Sequence, residues 1–340
     1  MSDEFVSLLP PSLRQDWPVP RQDALGERGG AMAWLEYAAG RGALSTLSRF
    51  SEGPREAFIE GFARLARRVD RSHSNAARDF LRTAYGAAIE PVELEARVLS
   101  AWRHFLRVTI ESSGFAHRVD YANLGAHLDG VDLHPDAEKL RAEKKGAIFV
   151  TAHLGDWEAG SAALAYIGFD PFYAVVKAPK NRPLSAHLQR LREARGLRSL
   201  PRRGAMQHAS QILRGGGYLG MVLDQRARLR PVLAPFFGRL ACCDRSAGVL
   251  MKRLRTPVLV GFCYRTAAWR WRVHVPTVIH PDELAGVDPD AIVARLNREF
   301  ETRIRAMSDQ YMWIHDRYRG ASREALALAE NGPESAAPEA

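Results

Sequence analysis

Cysteine is scarce: Cys242, Cys243 and Cys263 are the only three in 340 residues. An odd count, with two neighbours and no Cys-x-x-Cys pair, excludes a disulfide framework and offers no zinc or redox spacing. A reducing compartment fits best. Nowhere do about 18 apolar residues run together, so no membrane-spanning helix is expected. The opening MSDEFVSLLPPSLRQDWPVP has acids and prolines where a signal peptide would have a basic start and an apolar stretch. Catalytic signatures are missing too. No Gly-Lys-Ser or Gly-Lys-Thr follows GGGYLG, which excludes a phosphate loop. No Gly-x-Ser-x-Gly marks a serine hydrolase, and no His-Glu-x-x-His marks a zinc hydrolase. No zinc finger, RNP-like motif or basic zipper accompanies the arginines, so nucleic acid is not an expected partner.

What remains is a basic chain of ordinary composition, 46% hydrophobic and with a net charge of +9. Such a charge suits an anionic membrane surface, an acidic protein or a phosphorylated substrate, without choosing among them. Residues 1–30 read as a loose lead-in and residues 31–115 as a helical N-terminal region. Residues 116–320 read as an α/β core and 321–340 as a tail whose end is disordered. Among the N-terminal helices, one is expected to start at Ser74 or Asn75. In another, Val92, Leu99, Trp102, Leu106 and Ile110 recur at helical spacing and form a core stripe.

From residue 146 strand-like runs alternate with helices. AIFVTA, PFYAVV, GYLGMVLD, TPVLVGFCYR and WRVHVPTV read as strands, and residues 156–166, 183–195, 205–214 and 289–307 as helices. The fold class is therefore α/β, with a mixed, largely parallel sheet covered by helices and a helical N-terminal part.

The chemistry concentrates in AIFVTAHLGDWEAG, residues 147–160. Five strand formers run into His153, and a helix begins within a few residues, so His153 lies at the carboxyl end of a strand where open α/β sheets bind ligands. Glu158 follows five positions later. On one straight helix, positions five apart diverge by about 140°, so the two meet only with His153 on the turn and Glu158 one turn into the helix. The strand-to-helix boundary predicts that arrangement. A carboxylate on one ring nitrogen would orient the imidazole and leave the other nitrogen to take a proton. The alternatives at this point are that His153 only caps the helix, or that Asp156 is the functional acid at the helix N-terminus.

AHLGDWE resembles the histidine-and-acid motif of the bacterial lipid A biosynthesis acyltransferases, relatives of the lysophospholipid acyltransferases. Further likenesses follow in the family's order. LQRLREARGLRSL matches an arginine-and-glycine helix end at Arg192 and Gly196, and GGGYLGMVLDQR matches a strand closing in Asp224 and Gln225. PFFGRLA matches a Phe-Phe-Gly turn, and QYMWIHDRYR an aromatic and basic stretch.

The resemblance implies transfer of an acyl group from an acyl carrier protein or coenzyme A thioester to a lipid hydroxyl or amine, with no further cofactor. It implies His153 as general base with Glu158 as its partner, and Arg192, Asp224 and Gln225 as residues that shape the site or hold the acceptor. It also implies peripheral work at the cytoplasmic face of a bacterial inner membrane. The alternative is a family member that binds lipid or carrier without catalysis, against which the retention of His153 and Glu158 speaks.

Some stretches depart from the family. The family's membrane-anchoring first helix is here AMAWLEYAAGRGALSTL, which carries Glu36 and Arg41, so anchoring is expected to be interfacial at most. ACCDRSAG replaces the usual small and hydroxyl-bearing residues, and its cysteines read as packing residues. WRWR, residues 269–272, reads either as a lipid-interface patch or as an edge strand. The basic run over 177–203, with Arg226, Arg228 and Arg230, could receive an acidic carrier or anionic head groups.

Overall fold

A computed structural model describes residues 17–19, 26–114, 118–202, 204–228 and 230–322. The tail's expected disordered end and most of the lead-in lie outside the described residues. Among the described residues four helices come first: α1 (Ala31–Arg49), α2 (Glu52–Val69), α3 (Arg71–Tyr85) and α4 (Pro91–Gly114). The first three all pack on α4.

The start of α3 differs from the expectation of Ser74 or Asn75. The N-cap is Asp70, whose carboxylate accepts the His73 N–H at 3.1 Å. Ser74 instead lies buried inside the helix, donating to the Arg67 carbonyl and accepting from Trp102 Nε1 at 3.1 Å. The expected stripe on α4 is core in all but its first residue: Trp102 and Ile110 are buried, and Leu99 and Leu106 pack against the core. Val92 alone is 84% exposed, and the face turned inward also takes in Leu94, Val98, Ala101 and Val108. Two positions apart, Val92 and Leu94 stand about 200° apart around the helix. The line through 92, 99 and 106 runs along the flank of the buried face, and neighbouring helices cover only its later portion.

The rest of the described residues build nine strands and six more α-helices: β1 (Leu128–Leu133), α5 (Pro135–Ala142), β2 (Ala147–Thr151), α6 (Trp157–Tyr166), β3 (Phe172–Val176), α7 (Arg182–Glu193), β4 (Leu197–Pro201), α8 (Ala205–Arg214), β5 (Tyr218–Val222), β6 (Val232–Phe236), β7 (Arg239–Cys243), α9 (Ser246–Leu254), β8 (Val258–Ala267), β9 (Arg270–Ile279) and α10 (Pro289–Ala306). Seven strands form one mixed sheet in the order β1-β9-β8-β2-β5-β3-β4. Every neighbouring pair is parallel except the β8–β9 hairpin. This is the expected α/β class. Central β2 is buried except at its last residue, as its unbroken apolar run requires in a sheet covered on both faces. Apolar clusters fill both sides of the sheet, one of them joining it to α3 and α4.

Four strands were not foreseen: β1, β4, β6 and β7. Edge strands β1 and β4 are short and carry charge, so their apolar pattern is weak. The Phe-Phe-Gly turn is the tip of the β6–β7 hairpin. Phe236 pairs with Arg239, and the two residues between, Phe237 and Gly238, both have positive φ (51° and 78°). That is the two-residue geometry whose twist matches a hairpin, with glycine at one of the costly positions.

WRWR is no lipid-interface patch. Trp269 and Trp271 are buried, while Arg270 and Arg272 pair with Asp129 and Asp132 of the neighbouring edge strand. All three cysteines are free and buried, as expected of packing residues. Among the described residues no helix is long and apolar enough to cross a membrane.

Candidate active site

Strands β2 and β5 lie side by side and parallel, with Thr151 opposite Val222. The ladder extends one step further, Leu223 donating its N–H to the Thr151 carbonyl at 3.0 Å. Each chain then leaves the sheet, and the residues two past the last paired positions are His153 and Asp224. Register alone sets them together.

The Asp224 carboxylate grips His153 twice. Oδ1 lies 2.7 Å from the ring Nδ1, and Oδ2 accepts the His153 backbone N–H at 3.0 Å. Burial alone would raise the Asp224 carboxyl, but the His153 imidazole and these two hydrogen bonds outweigh it and hold the group at about 2. An ionised carboxylate on Nδ1 keeps a proton on that nitrogen and leaves Nε2 with its lone pair. The Gln225 amide nitrogen stands 3.2 Å from Nε2, suited to donate to it. The Trp157 ring meets the imidazole edge-on, with centroids 4.7 Å apart. His153 itself remains 15% accessible, against 2% for Asp224.

The expected contact between His153 and Glu158 is absent. Among the described residues no hydrogen bond joins them. Glu158, in the first turn of α6, accepts a two-pronged hydrogen bond from Arg192 near the end of α7, with Nε to Oε2 at 3.0 Å and Nη2 to Oε1. Burial opposes ionisation of Glu158, but the charges of Arg192, Arg195 and His153 outweigh it and keep the carboxyl below its ordinary value. The physical reason for the correction is competition. Asp224 reaches the ring from a paired strand, while a planar guanidinium fork fits the Glu158 carboxylate better than one imidazole nitrogen does. The five residues brought together are nonetheless those singled out from the sequence: His153, Asp224 and Gln225 in one chain of contacts, Glu158 and Arg192 in another.

The other acid, Asp156, is a structural cap. It is fully buried, accepts the Ala159 N–H at 2.9 Å as N-cap of α6, and accepts from Trp271 Nε1 at 3.2 Å. Burial pushes it up to about 7. Gly155, just before it, is required by geometry. It has φ +67°, and a Cβ there would lie 2.0 Å from the Cys263 carbonyl oxygen.

Two elements not foreseen brace this turn. Past α10, Gln310 and Met312 bond its backbone: Gly155 N–H reaches the Gln310 carbonyl at 2.8 Å, and Met312 N–H the His153 carbonyl at 3.1 Å. Tyr311, between them, stands beside Asp224. His315 Nε2 accepts the Arg226 N–H at 3.1 Å, and burial pushes its ring down to about 4, so it is neutral. The second is His104 on α4, buried beside the Gly155 backbone, whose ring burial pushes down to about 3. QYMWIHDRYR, residues 310–319, was the only sequence signal for the first; nothing in the sequence distinguished His104 from its helical neighbours.

An imidazole with one nitrogen held by an ionised carboxylate, and the other left as an acceptor at the rim of a parallel sheet, can take a proton from a hydroxyl. No curated protein matches the chain closely enough to count as a relative. A family model described as bacterial lipid A biosynthesis acyltransferase matches residues 30–320, from the lead-in to α1 through the segment that braces His153. The chain thus belongs to the bacterial lipid A biosynthesis acyltransferases, whose activity is acyl transfer.

Proposed function

We propose that the protein is an O-acyltransferase that moves a fatty acyl group from an acyl carrier protein or coenzyme A thioester to a hydroxyl of a glycolipid or phospholipid, with His153 as general base. The observation that carries this reading is the Asp224 grip on Nδ1, which leaves Nε2 to accept the hydroxyl proton. As the acceptor oxygen attacks the thioester carbonyl, its proton passes to Nε2. The tetrahedral intermediate collapses, the carbon–sulfur bond breaks, and the imidazolium returns the proton to the departing sulfur. Ester and free thiol result. Asp224 is then the orienting carboxylate and stabilises the imidazolium, a role first expected of Glu158. Glu158 is close enough for its charge to favour the imidazolium as well, while it holds Arg192 in place. Gln225 occupies the position of a hydroxyl donor to Nε2, so it yields to the acceptor or hands it in.

The membrane side of this reading rests on the helical layer. Met32, Trp34 and Leu35 on α1 and Phe58, Phe62, Leu65 and Val69 on α2 are large apolar side chains exposed to solvent. On α2 they recur at helical spacing, as one stripe. Together with the net positive charge they favour peripheral binding to the anionic cytoplasmic face of a bacterial inner membrane.

The test is to incubate the purified protein with acyl carrier thioesters and a membrane lipid extract, and to identify by mass which lipid gains an acyl chain. His153→Ala should remove that product while leaving the fold intact. Undiminished product in His153→Ala would remove the mechanism, and the absence of any acylated lipid with wild type would favour a binding role.

A further inference from the structure

Five arginines gather around one cavity in the helical layer, and none of them belongs to the polar pairs at the strand ends. Arg64, Arg67 and Arg68 come from the last two turns of α2, Arg71 and Arg78 from α3. With Asn75 of α3 and Glu95 of α4 they line a cavity of about 570 Å³, within the roughly 300–1,000 Å³ range of small-molecule sites.

The chain neutralises this charge only in part. Glu95, the one carboxylate in the lining, accepts from Arg78 Nε at 2.5 Å, Arg78 Nη2 at 2.9 Å and Arg67 Nη1 at 3.1 Å. Arg64 is taken by Glu60 outside the lining. Among the described residues Arg68 and Arg71 have no carboxylate partner. The Asn75 carbonyl oxygen is engaged by Arg78 at 2.9 Å, which leaves its amide hydrogens as donors. Two guanidinium forks and an amide thus face a pocket whose own charges repel one another. Planar, donor-only groups of this kind match the oxygens of a phosphoryl group.

We propose that this cavity binds phosphate oxyanions, of the diphosphate or phosphomonoester class, through Arg68, Arg71 and Asn75. The inference does not depend on the acyl-transfer chemistry at His153. The anion has two sources, a free small molecule or the headgroup of a phosphorylated lipid. Phe62, Leu65 and Val69, exposed on the same helix as Arg68, make a headgroup at a bilayer surface the geometrically natural one.

The experiment is calorimetric titration of the full chain with pyrophosphate at physiological ionic strength. In parallel, flotation compares phosphatidic acid vesicles with phosphatidylglycerol vesicles of matched charge. Wild type should bind pyrophosphate, and the Arg68→Ala/Arg71→Ala double variant should bind it at least tenfold more weakly with an unchanged melting temperature. Asn75→Asp, which places a carboxylate in the lining, should weaken binding as well and serves if the double variant does not fold. A preference for phosphatidic acid that the double variant loses assigns the site to a headgroup. Pyrophosphate binding without that preference assigns it to a free oxyanion. The proposal is overturned if wild type binds neither probe, or if the variants bind both as wild type does. It is equally overturned if the variants only raise KM for a carrier-protein thioester, which would make this face a dock for an acidic protein.

Discussion

The rim of the sheet and the helical layer treat charge in opposite ways. At the rim, His153, Asp224, Glu158 and Arg192 are largely withdrawn from water, and each has a partner fixed by a strand end or a helix turn. In the layer formed by α1, α2 and α3, arginines are mostly exposed, some lack carboxylate partners, and large apolar side chains face solvent beside them. Fixed, buried charge suits chemistry, because it is preorganised and poorly screened. Exposed charge beside exposed apolar surface contributes little to the fold and suits recognition.

The largest effect is expected at the rim. Asp224→Asn preserves shape but removes the ion that keeps the proton on Nδ1, so the imidazole can adopt the wrong tautomer. We expect kcat to fall by about 10³–10⁴ with little change in KM. A loss below tenfold would return the orienting role to Glu158. Gly155→Ala should rank next. A Cβ at 2.0 Å from a carbonyl, added to a left-handed backbone, should cost at least about 3 kcal/mol in denaturant unfolding. Full stability in that variant would show that the turn can move.

The positions of His153 and Asp224 were legible in the sequence, and their contact was not. Five strand formers before His153, and a helix just after, were enough to place it at a strand end, and GYLGMVLD did the same for Asp224. Their contact was not legible, because it depends on Thr151 standing opposite Val222, a register between strands 71 residues apart. Nearness in sequence favoured Glu158 instead, whose true partner Arg192 sits on another helix. Strands β1 and β4 were hidden because edge strands need not be apolar, and His104 because a buried histidine in a helix looks like any other.

The Glu158–Arg192 pair allows a finer cut. Removing either partner leaves a mostly buried charge without its counter-ion, and we expect each single alanine variant to lose about 2–4 kcal/mol. The double variant should lose less than the sum, with a coupling of about 1–3 kcal/mol by double-mutant cycle. Additive losses would mean that the two side chains act on the fold independently, and single losses near zero that the rim tolerates unpaired charge as the helical layer does.

Asp156 gives the rim a pH signature. Its folded value of about 7 lies above the ordinary 3.8, so between those values the folded state holds a proton that the unfolded state has released. Its contribution to stability is complete below about 4 and is lost as pH rises towards 7, on the order of 4 kcal/mol at most. Asp156→Asn keeps an acceptor for the Ala159 N–H and should flatten that portion of the stability–pH curve. An unchanged slope would assign it to other groups. Asp224 acts in the opposite sense. Held at about 2, it stabilises the fold above its ordinary value and loses that contribution only as pH falls through about 2, so it leaves the neutral range untouched.

The smallest effect on stability is expected on the exposed face of the helical layer, where the contrast between two phenylalanines is instructive. Phe80 on α3 is fully buried against Phe236, Phe237, Tyr311, Trp313 and Tyr318, and its truncation to alanine should cost about 3–5 kcal/mol. Phe62 on α2 is 44% exposed. Phe62→Ser and Leu65→Ser should each change unfolding free energy by no more than about 0.5 kcal/mol, yet weaken binding to anionic vesicles, where each apolar side chain adds to the attraction of the arginines. Added salt should release wild type from those vesicles by screening the arginines. Serine variants that bind vesicles as tightly as wild type, or that unfold as readily as Phe80→Ala, would make this stripe a piece of the core and not a surface kept for a partner.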